Sequence, residues 1–110
     1  MIPNLELTIL RGLINNESYT RKVLPYVKDV YFETSVSRTL FQICSEHFVE
    51  YSDCPTRAAL SVGCERLEGV NEDEFRSINE ALPLLFEEGN ENYDFLVNTT
   101  ESWCKERAVY

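Results

Sequence analysis

Cys44 and His47 stand three residues apart, a spacing that lets both side chains share one face of a helix, and they make the chain's one hint of a metal-ligand pair. A closed zinc site needs four ligands. The other cysteines, Cys54, Cys64 and Cys104, form no Cys-x-x-Cys pair, so a small buried thiol beside a core histidine is the simpler reading. His47 is also the only imidazole, and a Ser-His-acid triad would have to use it. It falls on an apolar helical stripe, where a satisfied core histidine fits better than a general base. Glu72, Asp73 and Glu74 crowd a helix start, and capping explains them better than acid–base work. Glu87, Glu88 and Glu91 lack the alternating spacing of a calcium loop. A glycine-rich phosphate loop with its lysine and Ser/Thr is absent, and there are four glycines in all. These residues therefore predict no catalytic, cofactor-binding or metal site.

The elements that would position these side chains read as helices throughout. A first helix is expected from Leu5 to about Asn15, with Leu5, Ile9, Leu10, Leu13 and Ile14 inward, and a second from Glu17 to Leu24, ended by Pro25. Tyr31 and Phe32 belong to a short turn that pushes aromatics into the core. Thr34 or Ser35 caps a long third helix whose stripe is Val36, Leu40, Ile43, Cys44, His47, Phe48 and Tyr51, with Phe48 near its centre. Pro55-Thr56 starts a fourth helix to about Leu67; its Gly63 is either a tolerated surface glycine or a close-packing point. Asn71 caps a fifth, with Phe75, Ile78, Leu82, Leu85 and Phe86 inward and a kink or break at Pro83. The last begins near Asn92 with the stripe Tyr93, Leu96, Val97, Thr100 and Cys104. The fold class is all-α, a compact orthogonal bundle of about six helices in one domain, residues 1–110.

Hydrophobic residues make up 44% of the chain, enough for one core, and net charge is −9. Residues 1–60 carry seven acids and six bases, and the remainder twelve acids and four bases. An acidic half repels phosphate, so little direct DNA binding is expected. The thirteen aromatics lack interleaved Lys or Arg and do not form a base-stacking surface. Neither a membrane span nor a signal peptide is legible, which points to the cytoplasm.

The order of elements resembles the N-terminal domain of DnaB-type hexameric replicative DNA helicases, most nearly the form found in T-even-type phages. The resemblance rests on Glu6 with Ile9-Leu10-Arg11-Gly12-Leu13-Ile14, on Tyr19, Val23-Leu24-Pro25-Tyr26 and Tyr31-Phe32-Glu33, on Leu40-Phe41 with Ile43, on Cys54-Pro55-Thr56, and on the closing Glu106-Arg107-Ala108. These are packing positions spread over nearly the whole chain, without catalytic signatures. The resemblance implies an interaction and oligomerisation domain of a replication protein: a collar above the motor ring that organises the hexamer and contacts primase in the primosome. Its partners would be other helicase subunits, primase and a helicase loader. ATP and magnesium would belong to an ATPase domain outside this chain, in a parent that acts as a 5′–3′ helicase. A free-standing phage adaptor or regulator that mimics the collar is the alternative, and a small enzyme the third.

Trp103-Cys104-Lys105-Glu106-Arg107-Ala108-Val109-Tyr110 contains neither a glycine stop nor a proline, and reads as a helix truncated in mid-course. Trp103 either extends the inward stripe of that helix or, with Val109 and Tyr110, marks a second apolar face towards another chain.

Overall fold

In the computed structural model, which describes residues 4–66, 71–86 and 92–108, six α-helices follow one another. They are α1 (Asn4–Asn15), α2 (Glu17–Val23), α3 (Ser35–Tyr51), α4 (Arg57–Arg66), α5 (Glu72–Leu85) and α6 (Tyr93–Ala108), with a 3-10 turn at Asp29–Tyr31 ahead of α3. No strand occurs among the described residues, and the chain is an all-α bundle. Helices α1 and α3 lie at its centre. The first packs on α2, α3, α5 and α6, and the second on α1, α4, α5 and the 3-10 turn.

Local chemistry explains most of the boundaries. The Asn16 side chain accepts from the Tyr19 amide to start α2, Thr34 accepts from Ser37 to start α3, and Thr56 accepts from Ala59 to start α4. Asn71 Oδ1 accepts from the Glu74 amide at 2.8 Å to start α5, and Asn92 accepts from Asp94 and Phe95 to start α6. Helix α3 ends at Ser52, whose φ of 55° is the left-handed conformation that lets its amide turn back to the Phe48 carbonyl. Helix α5 ends against α1: Asn15 Nδ2 donates to the Leu85 carbonyl at 2.8 Å and Arg11 Nε to the Leu84 carbonyl at 3.1 Å. These two side chains satisfy carbonyls that the helix end leaves without partners.

Expectations about α1, α3 and α6 are corrected, the last because Tyr93, expected on the inward stripe, is 40% exposed. Leu5 is 39% exposed, because the inward position of the first turn belongs to Glu6, which is in phase with Ile9, Leu10 and Leu13. The Glu6 carboxylate is buried and accepts the Glu33 amide at 3.2 Å, one residue before the α3 cap. The α3 stripe is rotated towards Leu40, Phe41, Ile43 and Cys44, so Phe48 is half-buried and Tyr51 is exposed. Helix α5 continues through Pro83 and stops two residues later. The carbonyl that Pro83 cannot serve belongs to Asn79, an exposed residue on the solvent side, where water can replace the lost donor.

The core is aromatic where the 3-10 turn meets α3 and α6. Phe32 is fully buried, its ring centroid 5.3 Å from Phe41 and 5.0 Å from Trp103, and Tyr31 meets Trp103 edge-on at 5.9 Å. Such tilted and edge-to-face pairs add to the burial of each ring. Ile9, Leu10, Leu13, Tyr19, Leu40, Leu60, Ile78 and Leu85 complete the interior.

Candidate functional site

Gly63 sets the separation of α3 and α4. A Cβ placed there would lie 2.8 Å from Ile43 Cγ2, so the absent side chain lets the two helices close up at this level. Of the two places left open for Gly63, close packing is the one the structure has. Towards the solvent side the helices leave a groove of about 560 Å³. Its α4 wall is built from small residues, Ala58, Ala59 and Val62, and its α3 wall from Ile43, His47 and Tyr51. Helical phase brings the α3 residues to one edge, since 43, 47 and 51 are four apart. The His47 and Tyr51 rings lie 4.7 Å apart, and Tyr51 is 62% exposed. Glu46 and Glu50 form the rim on α3, and Arg66 stands on α4. None of these three makes an ion pair among the described residues; the two ion pairs there are Arg21–Glu17 and Arg107–Glu33.

A larger cleft of about 700 Å³ lies between α4 and α5. Phe75 and Cys64 face it, but its walls are Glu65, Glu72, Glu80, Asn79 and Arg76. The α3–α4 groove combines an aromatic and aliphatic lining with a charged rim, and a smaller cleft of about 240 Å³ between α1 and α6 has Leu5, Ile9, Phe95 and Leu96 in its walls.

The residues with chemical potential do not converge. Cys44 is fully buried and burial pushes its thiol far above the ordinary cysteine range, which leaves it an inert core group. His47, three residues on, is half-buried and faces the groove, so the two do not share a face and His47 is not a core histidine. Cys54, Cys64 and Cys104 are also raised by burial, and all four cysteines are free. Among the described residues no three His, Cys, Asp or Glu side chains come together as a metal set. Glu72, Asp73 and Glu74 occupy the first turn of α5 beside the Asn71 cap. Glu87, Glu88 and Glu91 lie outside the described residues, as do Val109 and Tyr110.

Trp103, on α6, is 3% exposed and packs against Tyr31 and Phe32, with the Arg107 guanidinium 5.9 Å from its ring centroid. Of the two places left open for Trp103, the one it takes in this chain is the inward stripe of α6. Val49 and Val62, exposed by 76% and 46%, are surface groups that sequence reasoning passed over, and Tyr51, expected on the inward stripe, is 62% exposed. Val49 stood in the sequence as a signal, an aliphatic residue on the otherwise polar side of α3.

The chain is similar to the DnaB-like replicative helicase of Enterobacteria phage T4, with 30% identity over 102 residues. That match covers 93% of this chain and 21% of the helicase, so the chain spans about a fifth of the length of the relative it matches. No family model matches the chain, and no solved structure matches it. None of the described helices is long and apolar enough to cross a membrane.

Proposed function

We propose that this chain is the interaction and oligomerisation head of a ring-shaped replicative helicase, which helps organise the subunit collar and contacts primase. The observation that carries this reading is the similarity of 93% of the chain to a DnaB-like replicative helicase. The character of the domain supports it. A packed helical core presents a groove with apolar walls and scattered exposed apolar side chains, while among the described residues its cysteines, histidine and carboxylates form no metal set. On this reading ATP and magnesium are handled by a motor domain outside these residues, a helicase loader is a further partner, and the protein works in the cytoplasm of a phage-infected cell. The domain affects catalysis through assembly, since nothing in it aligns with a phosphate-cradling loop.

Reading the gene beyond codon 110 tests the proposal. A linker followed by a phosphate-binding loop is the expected result. A stop codon directly after Tyr110 would instead favour a free-standing adaptor or regulator that mimics the collar. Analytical sedimentation of the chain mixed with the primase encoded by the same genome supplies the second arm. Co-sedimentation at physiological salt is expected, and separate boundaries at tens of micromolar, about the weak end of protein recognition, would remove primase contact from the proposal.

A further inference from the structure

The α3–α4 groove has a shape and a charge pattern that specify a partner, on the reading that the chain is an interaction head. We propose that it docks an α-helix of another protein, one with an apolar face flanked by lysine or arginine. Small side chains on one wall and larger ones on the other leave a trough of about 560 Å³, within the size range of formed binding sites. An amphipathic helix enters such a trough with anchors spaced three, four and seven residues apart. Val62 and the exposed Tyr51 ring supply the apolar contact surface, with the buried Ile43 forming the floor.

Charge decides the rest. Glu46 and Glu50 stand one turn apart on the α3 rim and repel each other, Arg66 lines the α4 side without an ion pair to either among the described residues, and these three leave the rim with a net charge of −1. Cations on an incoming helix would relieve that repulsion and steer the encounter. The two carboxylates border the apolar side chains of the groove, a pattern suited to a helix whose basic residues border its apolar face. Nucleic acid is a poor occupant, because the same carboxylates repel phosphate.

The test titrates the isotope-labelled 110-residue chain with a synthetic leucine/lysine amphipathic peptide of about 16 residues, long enough to hold a helix when bound. A peptide with glutamate in place of lysine is the control. Amide shifts are expected at Ile43, His47, Ala59 and Gly63. Affinity should fall about tenfold or more in Val62→Glu and, separately, in the Glu46→Lys/Glu50→Lys pair, as loss of anchor and of charge complementarity require. The charge-reversed pair should gain binding of the glutamate peptide, and unchanged thermal melts identify folded variants. Shifts confined to the Glu72–Glu80 face, absence of binding, or equal affinity in the charge-reversed pair would overturn the proposal. Concentration-dependent shifts of the same groove amides without peptide would make a second copy of the chain the occupant, which also overturns it. A stop codon after Tyr110 with intact groove binding would end the helicase-head reading alone. A phosphate-loop domain downstream with an inert groove would end only the docking proposal.

Discussion

The Tyr19 hydroxyl and Thr100 Oγ1 lie 2.5 Å apart inside the seam between α2 and α6, joining positions 81 residues apart in the chain. Burial pushes the Tyr19 phenol up from 10.0 to about 12, with the Thr100 hydrogen bond opposing that shift. Gly12 is the third member of this seam: a Cβ there would meet the Tyr19 ring at 2.7 Å.

Tyr19 makes stability fall at alkaline pH. Its folded-state value is raised, so its contribution is complete below the unfolded value of 10.0 and is lost as pH climbs from there through about 12. Urea melts at stepped pH should show declining stability over that window, on top of the loss that the buried Cys44 thiol adds by the same sign. Tyr19→Phe should flatten the decline while costing about 1–2 kcal/mol at neutral pH, because Thr100 loses its buried partner. An unaltered pH slope in the variant would show that the phenol is not the titrating group.

Phe41 is a stronger anchor than Phe48. Phe41 is 5% exposed and packs on Phe32, whereas Phe48 is half-buried with the Arg21 guanidinium 5.3 Å from its ring centroid. Phe41→Ala should cost about 3–5 kcal/mol, and Phe48→Ala distinctly less. Chemical denaturation of both variants gives the order, and a larger loss at Phe48 would reverse the assignment of the inner face of α3.

Gly63→Ala should destabilise by about 1 kcal/mol, although alanine is the better helix former by a similar amount. The reason is the 2.8 Å approach to Ile43 Cγ2, a methyl fixed to a branched carbon and unable to swing away. Ile43→Leu moves the branch outwards and should rescue the alanine variant in a double-mutant cycle. Additive costs would mean that the helices separate instead.

Calorimetry with ATP and magnesium should show no saturable binding to these 110 residues, since the phosphate-cradling loop is missing from the sequence. Micromolar binding would point to a nucleotide site of another design.

Much of the fold was legible because it is local chemistry. Asn16, Thr34, Thr56, Asn71 and Asn92 each start a helix by accepting nearby amides, and the three- and four-residue recurrence of Ile9, Leu10, Leu13 and Ile14 or of Leu96, Val97 and Thr100 marks an inner face. Those features depend on neighbours a turn away, and the sequence by itself determined them, along with the helical class and the lack of a phosphate loop. Rotation of a helix about its axis is another matter. Leu5 and Glu6 differ by one position, and only the Glu33 amide, 27 residues on, makes the carboxylate the buried one. His47 reads as core on a helical wheel, but α4 leaves that side of α3 open beside Ala58 and Ala59, so it lines a groove. Trp103 had two places open to it until the 3-10 turn brought Tyr31 and Phe32 against its ring. Tertiary structure decided these positions because burial is a property of what packs opposite, and a periodic stripe wider than the available partner leaves one edge in solvent.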